Sequence, residues 1–139
     1  MSPAANPDIV IDTHVLIWYL LDPARLSTTA TAALQNAEAA LATVYVSAIT
    51  LVELRYLIEK GTFTEAGYQA ALAKFNDPFN VLKVATLDWV TADTMAQIPR
   101  ATVPDMPDRI IAATALTFNL PLITRDTKIR RLTNITTIW

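Results

Sequence analysis

Asp12, Glu53, Asp108 and Asp126 are the residues of this 139-residue chain whose types and settings could do chemistry. Each stands against an apolar segment: Asp12 in "DIVIDTHVLIWYLL", Glu53 in "SAITLVELRYLIEKG", Asp108 in "DMPDRIIAATALTF" and Asp126 just after "PLIT". An ionised carboxylate costs several kcal/mol to bury without a partner, so each must reach solvent, cap a helix or be paired. If the four gather, every pair about 4 Å apart repels by roughly 4 kcal/mol at an effective dielectric of about 20. Such a cluster needs a metal. Hard oxygen donors, with no Cys in the chain and no His in ligand spacing, suit Mg²⁺ or Mn²⁺ better than zinc.

Taken singly, the acids leave alternatives open. Asp12 can cap a helix beginning at His14, and Asp126 can do the same ahead of "TKIRRL". Asp105 and Asp108 flank Pro107, so either can be a cap or a first-turn anion worth about 0.3–1 kcal/mol. Glu53 lies with Ile49 and Leu57, at i−4 and i+4, while Arg55, Glu59 and Lys60 supply exposed charges. It either rides the edge of that apolar stripe or, as we prefer, points inward onto a matching cation. Together the acids say more. From Pro99 to Trp139 there are six Arg or Lys and only three acids, Asp105, Asp108 and Asp126, each at an expected strand end or helix start.

Placing these residues requires a sheet. The β-branched runs "IVI" (9–11), "VYVS" (44–47), "VLKVATL" (81–87), "PLIT" (121–124) and "ITTIW" (135–139) alternate with stretches of helical character near 14–21, 28–41, 48–60, 64–76, 88–98 and 108–118. Ser27 or Thr28, Ser47, Thr64, Asp88 and Asp105 are suitable helix caps. Strands apolar on both faces and separated by helices predict βαβ units around a parallel sheet. Ligands of such sheets bind beyond the carboxyl ends of the strands, where Asp12 and Asp126 both fall. The composition, 53% hydrophobic without a linker or repeat, predicts one domain, residues 1–139. The net charge of −2 argues against a generally basic nucleic-acid binder. The absence of cysteine excludes disulfides and thiol catalysis. With no apolar run near the roughly 20 residues of a bilayer span, and no basic-then-apolar leader in "MSPAANPD", a cytoplasmic location is expected.

In order and context, "IVIDTHVLIWYL", "VSAITLVELRYL", "DMPDRIIAATAL" and "PLITRDTKI" resemble the four acidic motifs of PIN-domain nucleases, and most of all those of the VapC toxins of VapBC toxin–antitoxin systems. The resemblance covers nearly the whole chain. It implies a three-layer α/β/α PIN-like fold around a mostly parallel five-stranded sheet, with Asp12, Glu53, Asp108 and Asp126 as the catalytic, metal-binding acids. It further implies Mg²⁺ or Mn²⁺ as cofactor and hydrolysis of RNA phosphodiesters by a water nucleophile, leaving 5′-phosphate and 3′-hydroxyl ends. A homodimer and a cognate VapB-type antitoxin, its tail blocking the acidic pocket through a basic side chain, are the implied partners. Asp105 matches an acid that relatives often carry before the Pro-containing turn, as ligand or cap. Thr13 and Thr124 are candidates for orienting the acids or a water.

His14 has no triad partner in motif spacing and is expected to be a packed or surface residue, not a base. Arg109, Arg125, Lys128 and Arg130 are candidates for holding an RNA backbone, which would make binding salt-dependent. Trp18, Tyr19, Trp89 and Trp139 are expected in the core or an interface, with base stacking the lesser reading. Two rivals remain: a PIN-fold module that binds RNA or protein with little turnover, and a phosphatase working through an aspartyl-phosphate. Haloacid-dehalogenase-like phosphatases carry a second Asp two residues after the first, where this chain has His14, so the phosphatase ranks last.

Overall fold

The computed structural model describes residues 7–139, so the first six residues, on which the leader expectation partly rests, lie outside the described residues. Five strands, β1 (Ile9–Ile11), β2 (Val44–Ser47), β3 (Leu82–Ala85), β4 (Leu122–Ile123) and β5 (Thr137–Ile138), form one sheet in the order β3-β2-β1-β4-β5. Every neighbouring pair is parallel, more uniformly than expected from the sequence. Six α-helices connect them: α1 (Thr13–Leu21), α2 (Thr28–Ala39), α3 (Ala48–Glu59), α4 (Glu65–Asn76), α5 (Trp89–Thr94) and α6 (Met106–Phe118).

The period-two alternation of a strand assigns side chains to the two faces of the sheet. Ile9, Ile11, Val44, Val46, Leu82 and Ile123 pack with α1, α2, α3 and α4 through Val15, Leu16, Leu34, Leu54 and Tyr68. Val10 and Leu122 face the other way, onto Ile110, Ile111 and Ala113 of α6 with Ile98 and Ile129. These two cores give the three-layer α/β/α arrangement. None of the helices among the described residues is long and apolar enough to cross a membrane.

Chain direction splits at the centre of the sheet. From β1 the chain crosses to β2 and β3 on one side, then returns to β4 and β5 on the other. The carboxyl end of β1 therefore opens at a topological switch point, the general location of ligand sites in such folds.

Element ends differ from the sequence reading for local reasons. Strands β3 and β5, at the sheet edges, are shorter than their apolar runs, Leu82–Ala85 and Thr137–Ile138, and the inner β4 covers Leu122–Ile123 of 121–124. The helix expected over 88–98 breaks at Thr94 into a 3₁₀ turn, Met95–Gln97. That expected from 108 begins at Met106, with Pro107 in the first turn where its missing N–H costs nothing. Helix α2 stops at Ala39 rather than 41 because Leu41 turns left-handed, φ 53°, so that Ala42 N–H reaches Ala37 O at 2.9 Å and Leu41 N–H reaches Glu38 O at 3.1 Å. This closure usually employs glycine. Leu41 is 84% exposed and gains little from burial. Leu41→Gly should therefore stabilise the fold by roughly 0.5–1 kcal/mol, read as a higher urea midpoint with an unchanged slope. A lower midpoint would show that the leucine side chain outweighs its backbone strain.

Candidate functional site

Five carboxylates, from Asp12, Glu53, Asp105, Asp108 and Asp126, line one cavity of about 570 Å³ at the switch point. Asp12 ends β1, and its own N–H bonds Ile123 O of β4 at 3.2 Å. The capping role predicted for Asp12 is present. Oδ1 caps α1 by accepting from Val15 N–H at 3.0 Å, and Oδ2 accepts from the Thr124 hydroxyl. Asp12 is only 7% exposed. Burial pushes its carboxyl above the usual range, against the Thr124 and Val15 hydrogen bonds that favour the anion.

Glu53 projects from α3 and is half-buried. Its Oε1 accepts from Thr13 Oγ1 at 2.5 Å, and that hydroxyl also lies 3.0 Å from Thr50 Oγ1. The inward orientation is therefore present, but the partner is a hydroxyl and not the expected side-chain cation. The ion pair among the described residues is Arg55–Glu65, elsewhere on the surface. Burial raises the Glu53 pKa, and the Thr13 bond opposes it.

Asp105 is the N-cap of α6, accepting Asp108 N–H at Oδ2 over 3.0 Å. This cap places Asp108 in the first helical turn, where no protein hydrogen bond among the described residues reaches its carboxylate. Burial first, then the charges of Asp105, Asp126, Glu53 and Asp12, lift its pKa from the ordinary 3.8 to about 7. Asp126 sits after β4, its N–H bonding Thr124 Oγ1 at 3.0 Å and its Oδ1 accepting Lys128 and Ile129 N–H at 2.8 and 3.0 Å. Thr124, fully buried, thus ties Asp12 to Asp126 through one hydroxyl.

Both Asp108 oxygens, Glu53 Oε2 and Asp126 Oδ2 keep lone pairs that no protein donor occupies among the described residues. An all-oxygen donor set, in which burial and then the neighbouring acids raise the Asp108 pKa, fits a hard divalent cation. Among the described residues no group of three or more His, Cys, Asp or Glu is already drawn together as an ion-binding cage. The donor chemistry fits Mg²⁺ or Mn²⁺, and the carboxylates have still to converge.

The basic candidates separate. Arg125 lines the cavity, whereas Lys128 and Arg130 lie exposed outside it. Arg109 donates to Met95 O at 2.9 Å and Ile98 O at 3.1 Å, so its guanidinium ties α6 to the 3₁₀ turn. His14 and Trp18 also line the cavity, His14 exposed and Trp18 buried. The sequence carried a signal for this pair, because i and i+4 on a helix share one face and Asp12 caps that helix.

A model of the protein family described as PIN domain matches residues 9–135. The chain is similar to Ribonuclease VapC22 of Mycobacterium tuberculosis, 28% identical over 133 residues, covering 94% of this chain and 98% of the relative. In three dimensions it resembles VapBC2 from Rickettsia felis, solved bound to a DNA fragment from their promoter, at TM-score 0.70 and 16% identity, covering 94% of this chain and 96% of that one. It also resembles FitAcB from Neisseria gonorrhoeae, at TM-score 0.60 and 25% identity over 93% of this chain and 95% of that one.

The raised acids make a stability prediction. Because folding lifts the Asp108 pKa from 3.8 to about 7, the folded chain holds that proton more tightly than the unfolded one. Its contribution is full below about pH 4 and lost as pH climbs to about 7. Metal-free protein should therefore unfold at lower urea at pH 8 than at pH 5.5. Mg²⁺ or Mn²⁺ at about 100 times its Kd should return roughly 2.7 kcal/mol at pH 8 and much less at pH 5.5. Asp108→Asn should stabilise the metal-free chain at pH 8 by roughly 1 kcal/mol, a figure reduced by solvent screening of a half-exposed group. Equal stability of the two metal-free proteins at pH 8 would contradict the crowding.

Proposed function

The chain belongs to the PIN-domain family, and from that premise we propose that it is a metal-dependent endoribonuclease acting as the toxin of a toxin–antitoxin pair. The observation that carries this reading is that Asp12, Glu53, Asp108 and Asp126, from four separate segments, all line one acidic cavity. Similarity to a ribonuclease over 94% of the chain supports the same reaction class.

Asp12, Glu53, Asp108 and Asp126 would hold one or more Mg²⁺ or Mn²⁺ ions. When bound, such an ion lowers the pKa of a water and stabilises the charge that builds on an RNA phosphodiester during in-line displacement. The protein's part is to fix the donors. Thr124 holds the Asp12 carboxylate by a hydroxyl hydrogen bond and accepts the backbone N–H of Asp126 with the same oxygen, while Lys128 and Ile129 N–H hold Asp126 Oδ1. Thr13 does the same for Glu53, and the Asp105 cap sets the first turn that carries Asp108. Orientation by such outer partners is typically worth 10–100-fold in metal affinity or activity.

An acidic cavity open to solvent also invites a basic inhibitor. Resemblance to VapBC2 and FitAcB supports a VapB-type antitoxin as the partner, with a cationic side chain entering the cavity. A homodimer and a cytoplasmic location complete the proposal, along with a single domain over residues 1–139.

Incubation of structured and unstructured RNA with the protein in Mg²⁺ or Mn²⁺ tests the reaction. Asp12→Asn should lower kcat by roughly 100-fold or more, and a chelator should abolish cleavage. Thr124→Val, which removes the hydroxyl and keeps the shape, should cost about 10–100-fold with the larger part in metal affinity. Cleavage that survives the chelator, or that Asp12→Asn leaves intact, would sink the assignment.

A further inference from the structure

Arg125 is the guanidinium of the acidic cavity, and it forms no ion pair within 4.0 Å among the described residues although five carboxylates line the same walls. Coulomb attraction alone would draw it down onto them. Its guanidinium carbon instead stands 5.9 Å from the centroid of the Trp18 ring, within cation–π range.

That indole is a firm mount. Trp18 is 7% exposed, and its ring is flanked by His14 at 5.8 Å and by Trp139 at 5.9 Å. A second guanidinium, that of Arg25, lies 5.0 Å from the same ring. The backbone on either side of Arg125 is equally held, because Thr124 is fully buried and its hydroxyl accepts Asp126 N–H at 3.0 Å. The side chain itself is exposed. A planar fork of donors, held near an indole and unclaimed by the acids, is matched to a phosphate.

We propose that Trp18 and Arg125 form a phosphate-docking pair at the rim of the acidic cavity, in which the indole keeps the guanidinium off the carboxylates and the guanidinium takes the non-bridging oxygens of an RNA phosphate next to the one being cleaved. This rests on the ribonuclease reading above. Trp18 is a positioning residue that acts through Arg125. The pair also solves an electrostatic problem, since a polyanion must approach a cavity whose walls are acidic. A cation at the rim offsets that repulsion for the phosphate that is not reacting.

The test is steady-state cleavage of a labelled single-stranded RNA by the full chain in Mg²⁺ or Mn²⁺. Arg125→Ala should raise KM roughly tenfold with kcat within about twofold, and should lower the slope of log affinity against log salt by about one. Arg125→Lys keeps the charge without the fork and should recover only part of the loss. Trp18→Phe should raise KM in the same direction, and the double variant should match Arg125→Ala alone. Because Arg125 is exposed, its own variants keep the proposal testable even if the Trp18 change unfolds the chain. A KM within twofold of wild type for Arg125→Ala, a loss confined to kcat, or multiplying effects in the double variant would overturn it. If the wild-type chain cleaves no RNA, the ribonuclease reading fails first and this proposal falls with it.

Discussion

Repulsion among five carboxylates gathered at one end of the sheet is the constraint on which the rest of this structure turns. Asp12, Glu53, Asp105, Asp108 and Asp126 share a cavity, and burial first, then the charges of its acidic neighbours, lifts the Asp108 carboxyl to about 7. No protein cation neutralises the group at ion-pair distance among the described residues. A fold keeps such an arrangement only at a cost to its own stability, and sites that bind charged ligands are where proteins commonly accept that cost.

What holds the acids against their repulsion is the backbone. Three of the five also serve as local caps: Asp12 for α1, Asp105 for α6 and Asp126 for the turn at Ile129–Arg131. Backbone N–H groups fix the carboxylates without adding a countercharge. Two threonines finish the job, Thr124 for Asp12 and Asp126 and Thr13 for Glu53. The switch in chain direction between β1 and β4 brings Asp12 and Thr124 side by side, so topology, capping and site chemistry depend on one another.

Much of this was legible in the sequence. Alternating β-branched runs and helical stretches predicted a parallel α/β sheet, and acids at strand ends and helix starts predicted where a site would open. Capping and site-lining appeared as competing readings of Asp12 and Asp126, yet a carboxylate has two oxygens, and backbone N–H groups take only one of them while the side chain still lines the cavity. Other features depend on tertiary placement that periodicity does not encode. Arg109 looked like its basic neighbours until α6 packed beside the carbonyls of Met95 and Ile98. Arg125 and Trp18 lie far apart in sequence and meet only because β4 pairs with β1. The left-handed turn at Leu41 was invisible because leucine gives no signal for a conformation that glycine normally announces.

The central claim is that these acids form the seat of a divalent cation. Anomalous diffraction from crystals soaked in Mn²⁺ addresses it most directly. The account predicts an anomalous peak in the cavity within about 2.0–2.4 Å of carboxylate oxygens from at least two of Asp12, Glu53, Asp108 and Asp126. A cavity without such a peak at saturating Mn²⁺, or a peak held only by residues outside this set, would contradict it.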